Sequence, residues 1–195
     1  MNIYLTVILA IIAIEYLLNL IVERLNVKNA SGILPEEFES FYDARKYRLS
    51  QEYLKENTDF HIVKDTIFVV ITLTFILSGG FNFVDSVARS FNRGPVATGL
   101  IFTGMLGLAL QIIGIPFSAY HTFVIEAKFG FNKTTVRTFV ADILKGLILT
   151  VAIGAIVLSI VFWFFYAAGS FAWVYCWAAV TIFQLFLLFI APVII

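Results

Sequence analysis

Few residues of this 195-residue chain could do chemistry. Histidine occurs at positions 61 and 121 and cysteine only at 176, while one dense polar and aromatic run, GIPFSAYHTFVIEAKFGFNKTT, fills positions 114–135. His61 and His121 could share a metal, but a zinc site takes three or four protein ligands, and nothing in their spacing supplies the others. No HExxH, CxxC, glycine-rich phosphate loop or nucleophile elbow is present. The histidines are therefore read as structural or interfacial groups. The chain by itself is expected to hold no catalytic residue and no metal ligand.

In the 114–135 run, Pro116 would remove a helical hydrogen bond and is expected to close the apolar stretch before it. Tyr120, Thr122, Glu126 and Asn132 are the candidates to dock a partner or orient a substrate. Glu126 and Lys128 could instead pair locally and only fix an elbow. Exposed ion pairs are worth about 0–1 kcal/mol, so stability alone is a thin reason for this composition. Gly130 and Asn132 tolerate unusual backbone angles, and Thr134 or Thr135 could cap a following helix.

A second set of polar groups sits inside apolar runs: Glu15, Asn19, Gln111 and Gln184. An ionisable group in a bilayer costs at least about 2.5 kcal/mol, so Glu15 is expected to face another helix or an aqueous cavity. Asn19 and Gln184 could equally serve as hydrogen-bonding glue between helices.

The elements that carry these residues follow from composition. The chain is 61% hydrophobic and 13% charged. Soluble domains run at roughly 45–50% apolar and about 25% charged, so this chain cannot cover a globular surface in water. A bilayer is its natural solvent. Its zero formal net charge offers no basic face for nucleic acid, and a single cysteine allows no internal disulfide. The fold class read here is all-α integral membrane with five transmembrane helices, at about residues 3–22, 62–77, 96–115, 144–168 and 171–190, each close to the ~20 apolar residues a span requires. The N-terminus lacks the basic region of a cleaved signal peptide, so the first span is expected to be retained.

Eleven of the thirteen lysines and arginines fall in the first and third connections or, as Lys64 and Lys145, at their membrane edges, and only Arg89 and Arg93 in the second. The positive-inside rule then predicts the N-terminus outside and the C-terminus cytoplasmic. A cytoplasmic loop at about 23–61 is expected to hold an amphipathic helix, with Pro35 and two acids at its start and Phe38, Phe41, Tyr42 and Tyr47 on one face. A cytoplasmic elbow is expected at 116–143.

The elbow resembles a known family. PFSAYHTFVIEAKFGFNKTT is similar to the signature of the Ste24-like, type 1 CAAX prenyl proteases of the M48 zinc metallopeptidase family. Pro116, Ser118, Tyr120, Thr122, Phe123, Val124, Ile125, Glu126, Lys128, Gly130, Phe131 and Asn132 all match that pattern. Phe41, Arg45 and Tyr47 resemble the family's first cytoplasmic loop, and Ala191 and Pro192 resemble the segment leading toward its protease domain.

The resemblance covers nearly the whole of residues 1–195 and identifies them as an M48 N-terminal membrane domain, part of a helical barrel around an aqueous chamber. It implies a zinc endopeptidase acting near the C-terminus of prenylated CAAX proteins, or in quality control of membrane proteins. Glu15, Asn19, Gln111 and Gln184 would face the chamber. Zinc would be held by the HExxH histidines of a catalytic domain, downstream or in trans, with the HExxH glutamate as general base. The chain alone is expected to bind no zinc and to be inactive. The implied partners are the lipid bilayer, that catalytic domain and a prenylated or membrane-protein substrate. The implied location is the plasma membrane of a prokaryote or the endoplasmic reticulum of a eukaryote. Two other readings stay open: a non-catalytic membrane adaptor that keeps the protease-like fold, and a small transporter, which accounts for Glu15, Gln111 and Gln184 but not for the elbow.

Overall fold

The computed structural model describes residues 2–34, 36–38, 41 and 43–194. Among the described residues six α-helices follow one another: α1 (Ile3–Asn29), α2 (Ala44–Leu77), α3 (Gly80–Ser90), α4 (Gly94–Tyr120), α5 (Val136–Ala167) and α6 (Ala172–Ile194). Short 3-10 turns occur at Glu36–Phe38 and Gly169–Phe171, and a π-helical segment at His121–Glu126 continues directly from α4. Helices α1, α2, α5 and the continuous Gly94–Glu126 stretch are each long and apolar enough to cross a bilayer.

Local chemistry sets several boundaries. The Asn2 side chain accepts a bond from the Tyr4 backbone N–H and starts α1. Asp43 caps α2, its Oδ1 accepting from the N–H groups of Arg45 at 2.8 Å and Lys46 at 3.1 Å. These bonds, that of Lys46 foremost, hold the Asp43 carboxyl below its ordinary range, because they favour the ionised form. Gly79, at φ 77°, takes the left-handed conformation that ends α2.

Three expected boundaries shift. The long first connection is mostly helix: α1 runs on to Asn29 and α2 begins at Ala44, so Lys64 and Asp65 lie well inside α2. The expected aromatic helix face does not form as one element. Phe38 sits in a 3-10 turn, Phe41 in the turn after it and Tyr47 in the first turn of α2, because the Asp43 cap starts the helix late. Pro35 and Tyr42 lie outside the described residues. Pro116 does not end its helix either; it lies inside α4. It forfeits one backbone bond, which a spanning helix tolerates by local readjustment, and the π segment begins five residues later.

The chain divides into two units, Met1–Asn82 with Ala109–Thr135, and Phe83–Leu108 with Val136–Ile195. In the first, α1 packs along α2. The hydroxyls of Tyr16 and Thr66 share a hydrogen bond of 2.8 Å, and Arg24 lies 3.6 Å from Asp59. In the second, α5 meets α6 through the edge-on rings of Phe164 and Tyr175, and Gly99 lies so close to the Phe162 ring that a Cβ there would stand 2.8 Å from it. Among the described residues the buried apolar side chains are only Leu34, Ile62, Val84, Ala88, Ile125 and Ala172. Apolar surface exposed on this scale needs lipid or further protein to cover it.

Candidate functional site

A dense set of contacts in the first unit lies where α2 meets the elbow. Tyr53, Glu56, Asn57 and Phe60 recur at the spacing that puts them on one face of α2. Each meets the elbow. Asn57 Oδ1 lies 2.8 Å from Nε2 of His121. Glu56 pairs with the Lys128 ammonium. The Tyr53 ring makes edge contacts with Phe129 at 5.2 Å and Phe131 at 5.0 Å. Phe60 stacks on Tyr120 at 5.5 Å and touches the rings of His61, Phe117 and His121. Beneath them Ile125 is 1% exposed.

The elbow has its own internal frame. The Glu126 carbonyl accepts from the N–H groups of Phe131 at 2.8 Å and Asn132 at 3.2 Å, and Gly130 makes the turn between them at φ 78°. Asn132 Oδ1 accepts from the Thr134 N–H at 2.6 Å, closing the next turn. The Glu126 carboxylate lies 3.6 Å from Nδ1 of His121, so that imidazole stands between Asn57 on one side and Glu126 on the other. Glu126 and Lys128 thus do not form the local pair considered from sequence. Each reaches a different partner.

Of the docking candidates, Tyr120 ends α4 half-exposed. Thr122 and Glu126 lie in the π segment, and the Asn132 amide oxygen is engaged in its turn. A cleft of about 530 Å³ opens beside them, with Phe60, Phe117, Tyr120 and Ile125 as walls and Glu56 and Asp59 at its rim. Of the chamber-facing candidates, Glu15 and Asn19 line a cleft of about 240 Å³ between α1 and α2, together with Tyr16, Glu23 and Asp65. Gln111 on α4 and Gln184 on α6 are exposed and form no part of that cleft. Asn57, Glu56, Tyr53 and Phe60 went unrecognised in the sequence. Their i, i+3, i+4, i+7 spacing was the signal available.

A model of the family described as CAAX prenyl protease N-terminal, five membrane helices, matches residues 23–195. The chain belongs to this family. It is 33% identical over 168 residues to the probable CAAX prenyl protease 1 of Schizosaccharomyces pombe, a match covering 77% of this chain and 34% of that protein. It is 28% identical over 169 residues to the CAAX prenyl protease 1 homolog of Oryza sativa subsp. japonica, covering 83% of this chain and 40% of that protein. A crystal structure of S. mikatae Ste24p superposes with a TM-score of 0.84 at 27% identity, covering 99% of this chain and 47% of that one. The chain therefore spans between about a third and a half of the length of these relatives. It is a multi-pass membrane protein of the Ste24-like CAAX prenyl protease N-terminal family.

The family implies zinc, but the described residues do not fit a zinc site. No group of three or more His, Cys, Asp and Glu side chains among them converges on one point. The His61 and His121 rings lie 6.0 Å apart, and both nitrogens of His121 already face Asn57 and Glu126. A zinc ion needs three or four such ligands.

Proposed function

We propose that this chain is the membrane-embedded N-terminal portion of a Ste24-like zinc metalloendopeptidase, contributing chamber wall and a docking surface to a catalytic domain that carries HExxH. The observation that carries the reading is the clamp between α2 and the π segment. Contacts from Tyr53 to Phe60 hold His121–Asn132 as one shaped body rather than a loose connector. Tyr120, Thr122 and Glu126 present that body at its surface, with Asn132 fixing the turn behind them. Glu15 and Asn19, polar in an apolar helix, are the chamber-facing groups of this proposal, together with Gln111 and Gln184. The clamp lies in the cytoplasm, with the N-terminus outside and the C-terminus inside, in keeping with the lysine and arginine distribution. The substrates are prenylated CAAX proteins or membrane proteins under quality control. The membrane is the endoplasmic reticulum in a eukaryote and the plasma membrane in a prokaryote.

The test is reassembly. The purified chain is combined with an HExxH-bearing domain, supplied in cis or in trans, and zinc content and cleavage of a membrane-anchored C-terminal peptide are measured. Zinc and cleavage are expected only with that domain present. No assembly and no cleavage in either arrangement would support the non-catalytic adaptor instead.

A further inference from the structure

A third concavity lies in the other unit and shares no lining residue with the two clefts described above. It measures about 590 Å³ and is bounded by α3, the first turns of α4 and one ring of α5. That is within the size range of small-molecule sites, roughly 300–1,000 Å³.

Its position along the membrane follows from helix lengths. Residues 95–115 carry no charge and rise about 32 Å, one hydrocarbon thickness, so the Gly94 end of α4 stands at headgroup level. The 11 residues of α3 rise only about 16 Å, too short to cross. Helix α3 buries Val84 and Ala88 and exposes Phe83, with Phe91 exposed just beyond its end, as a helix lying in the interface would.

The rim carries both charges. Arg89 Nε donates to Asp85 Oδ2 at 2.7 Å. A guanidinium has five N–H donors, and this bond uses one, so its terminal nitrogens remain for a forked contact with a phosphate. Asn92, held at φ 51°, and Thr98 add polar atoms beside it. The floor is apolar, formed by Phe102 and Phe162 with Gly99 between them. An anionic headgroup would bring a phosphate to Arg89 but nothing to offset the neighbouring Asp85 carboxylate. A headgroup with a phosphate and a primary ammonium would satisfy both, and its glycerol and acyl chains would lie on the aromatic floor.

We propose that this corner binds one phospholipid with a phosphoethanolamine headgroup, its phosphate on Arg89 and its ammonium on Asp85. The full chain in detergent is offered equal amounts of phosphatidylethanolamine, phosphatidylcholine and phosphatidylglycerol, and retained lipid is read by native mass spectrometry. One phosphatidylethanolamine is expected to be held about tenfold over the others, the worth of one charge-assisted hydrogen bond. Arg89→Ala is expected to lower that retention about tenfold. Asp85→Asn is expected to keep a lipid bound but to abolish the preference for phosphatidylethanolamine over phosphatidylcholine. Helical circular dichroism and a single elution peak establish that both variants fold, and Ser86→Ala, outside the rim, serves as a folded comparison. Equal retention of all lipids, a preference for phosphatidylglycerol, or wild-type selectivity in both variants would overturn the proposal. Displacement of the lipid by free O-phosphoethanolamine at matched concentration would assign the site to a soluble ligand and overturn the lipid reading.

Discussion

The start of α2, beside the elbow, and the apolar lengths of α1 and α5 illustrate two ways of holding a membrane protein together. The half of α2 from Ala44 to His61 is tied to the elbow by a hydrogen bond, an ion pair and stacked rings. The apolar lengths of α1 and α5 expose Ile8, Ile11, Ile148 and Ile156 and contain no buried residue. Where lipid replaces water, apolar burial within the protein gains little, and association rests on packing and interhelical hydrogen bonds. Among the described residues of the first unit, specific contacts gather at the elbow. On the function proposed above, that concentration makes the elbow, rather than any span, the place for a partner to read.

The largest expected effect breaks the comparison at its buried point. Ile125→Ala should cost about 2–5 kcal/mol, as a truncation in a packed core does. Ile156→Ala, on a side chain 64% exposed, should stay within about 0.5 kcal/mol. Thermal unfolding in one detergent measures both, and equal losses would erase the distinction. Next, Asn57→Ala removes the partner of His121 and should cost about 1 kcal/mol, with faster amide exchange at 121–132 and none of that acceleration in α5.

Smaller still is Glu56→Gln, which breaks the half-exposed pair with Lys128. It should cost less than about 1 kcal/mol, and the loss should vanish in high salt, which unfolding curves at two ionic strengths would reveal. The smallest effect concerns the start of α2. The folded-state pKa of Asp43 lies below its unfolded value of 3.8, so its stabilising contribution is complete above that value and is lost as pH falls through the folded one. Asp43→Asn keeps a capping side chain and should remove this acid-range dependence, read as helicity near the start of α2 against pH.

Much of the fold was legible because bilayer spans are written in composition: long uncharged runs can be little else. Boundaries were harder, because they turn on single residues. Asp43 is one acid among several in its stretch of sequence, yet its side chain decides where α2 begins. Pro116 looked like a terminator, yet the helix passes through it into a π turn. The elbow was found through its resemblance to a family pattern, whereas its supports on α2 were missed. Tyr53, Glu56, Asn57 and Phe60 lay in a stretch read as loop, and a stripe at helical spacing has no meaning until the segment is known to be a helix. Asn57 and His121 are 64 residues apart, a separation that local pattern cannot bridge.

The elbow is proposed as the face on which the catalytic domain docks. Hydrogen–deuterium exchange of the chain, with and without an HExxH-bearing domain, tests it most directly. Protection appearing at 120–126, with residues 83–94 unchanged, is the predicted result. Unchanged exchange at the elbow, or protection confined to 83–94, would contradict it.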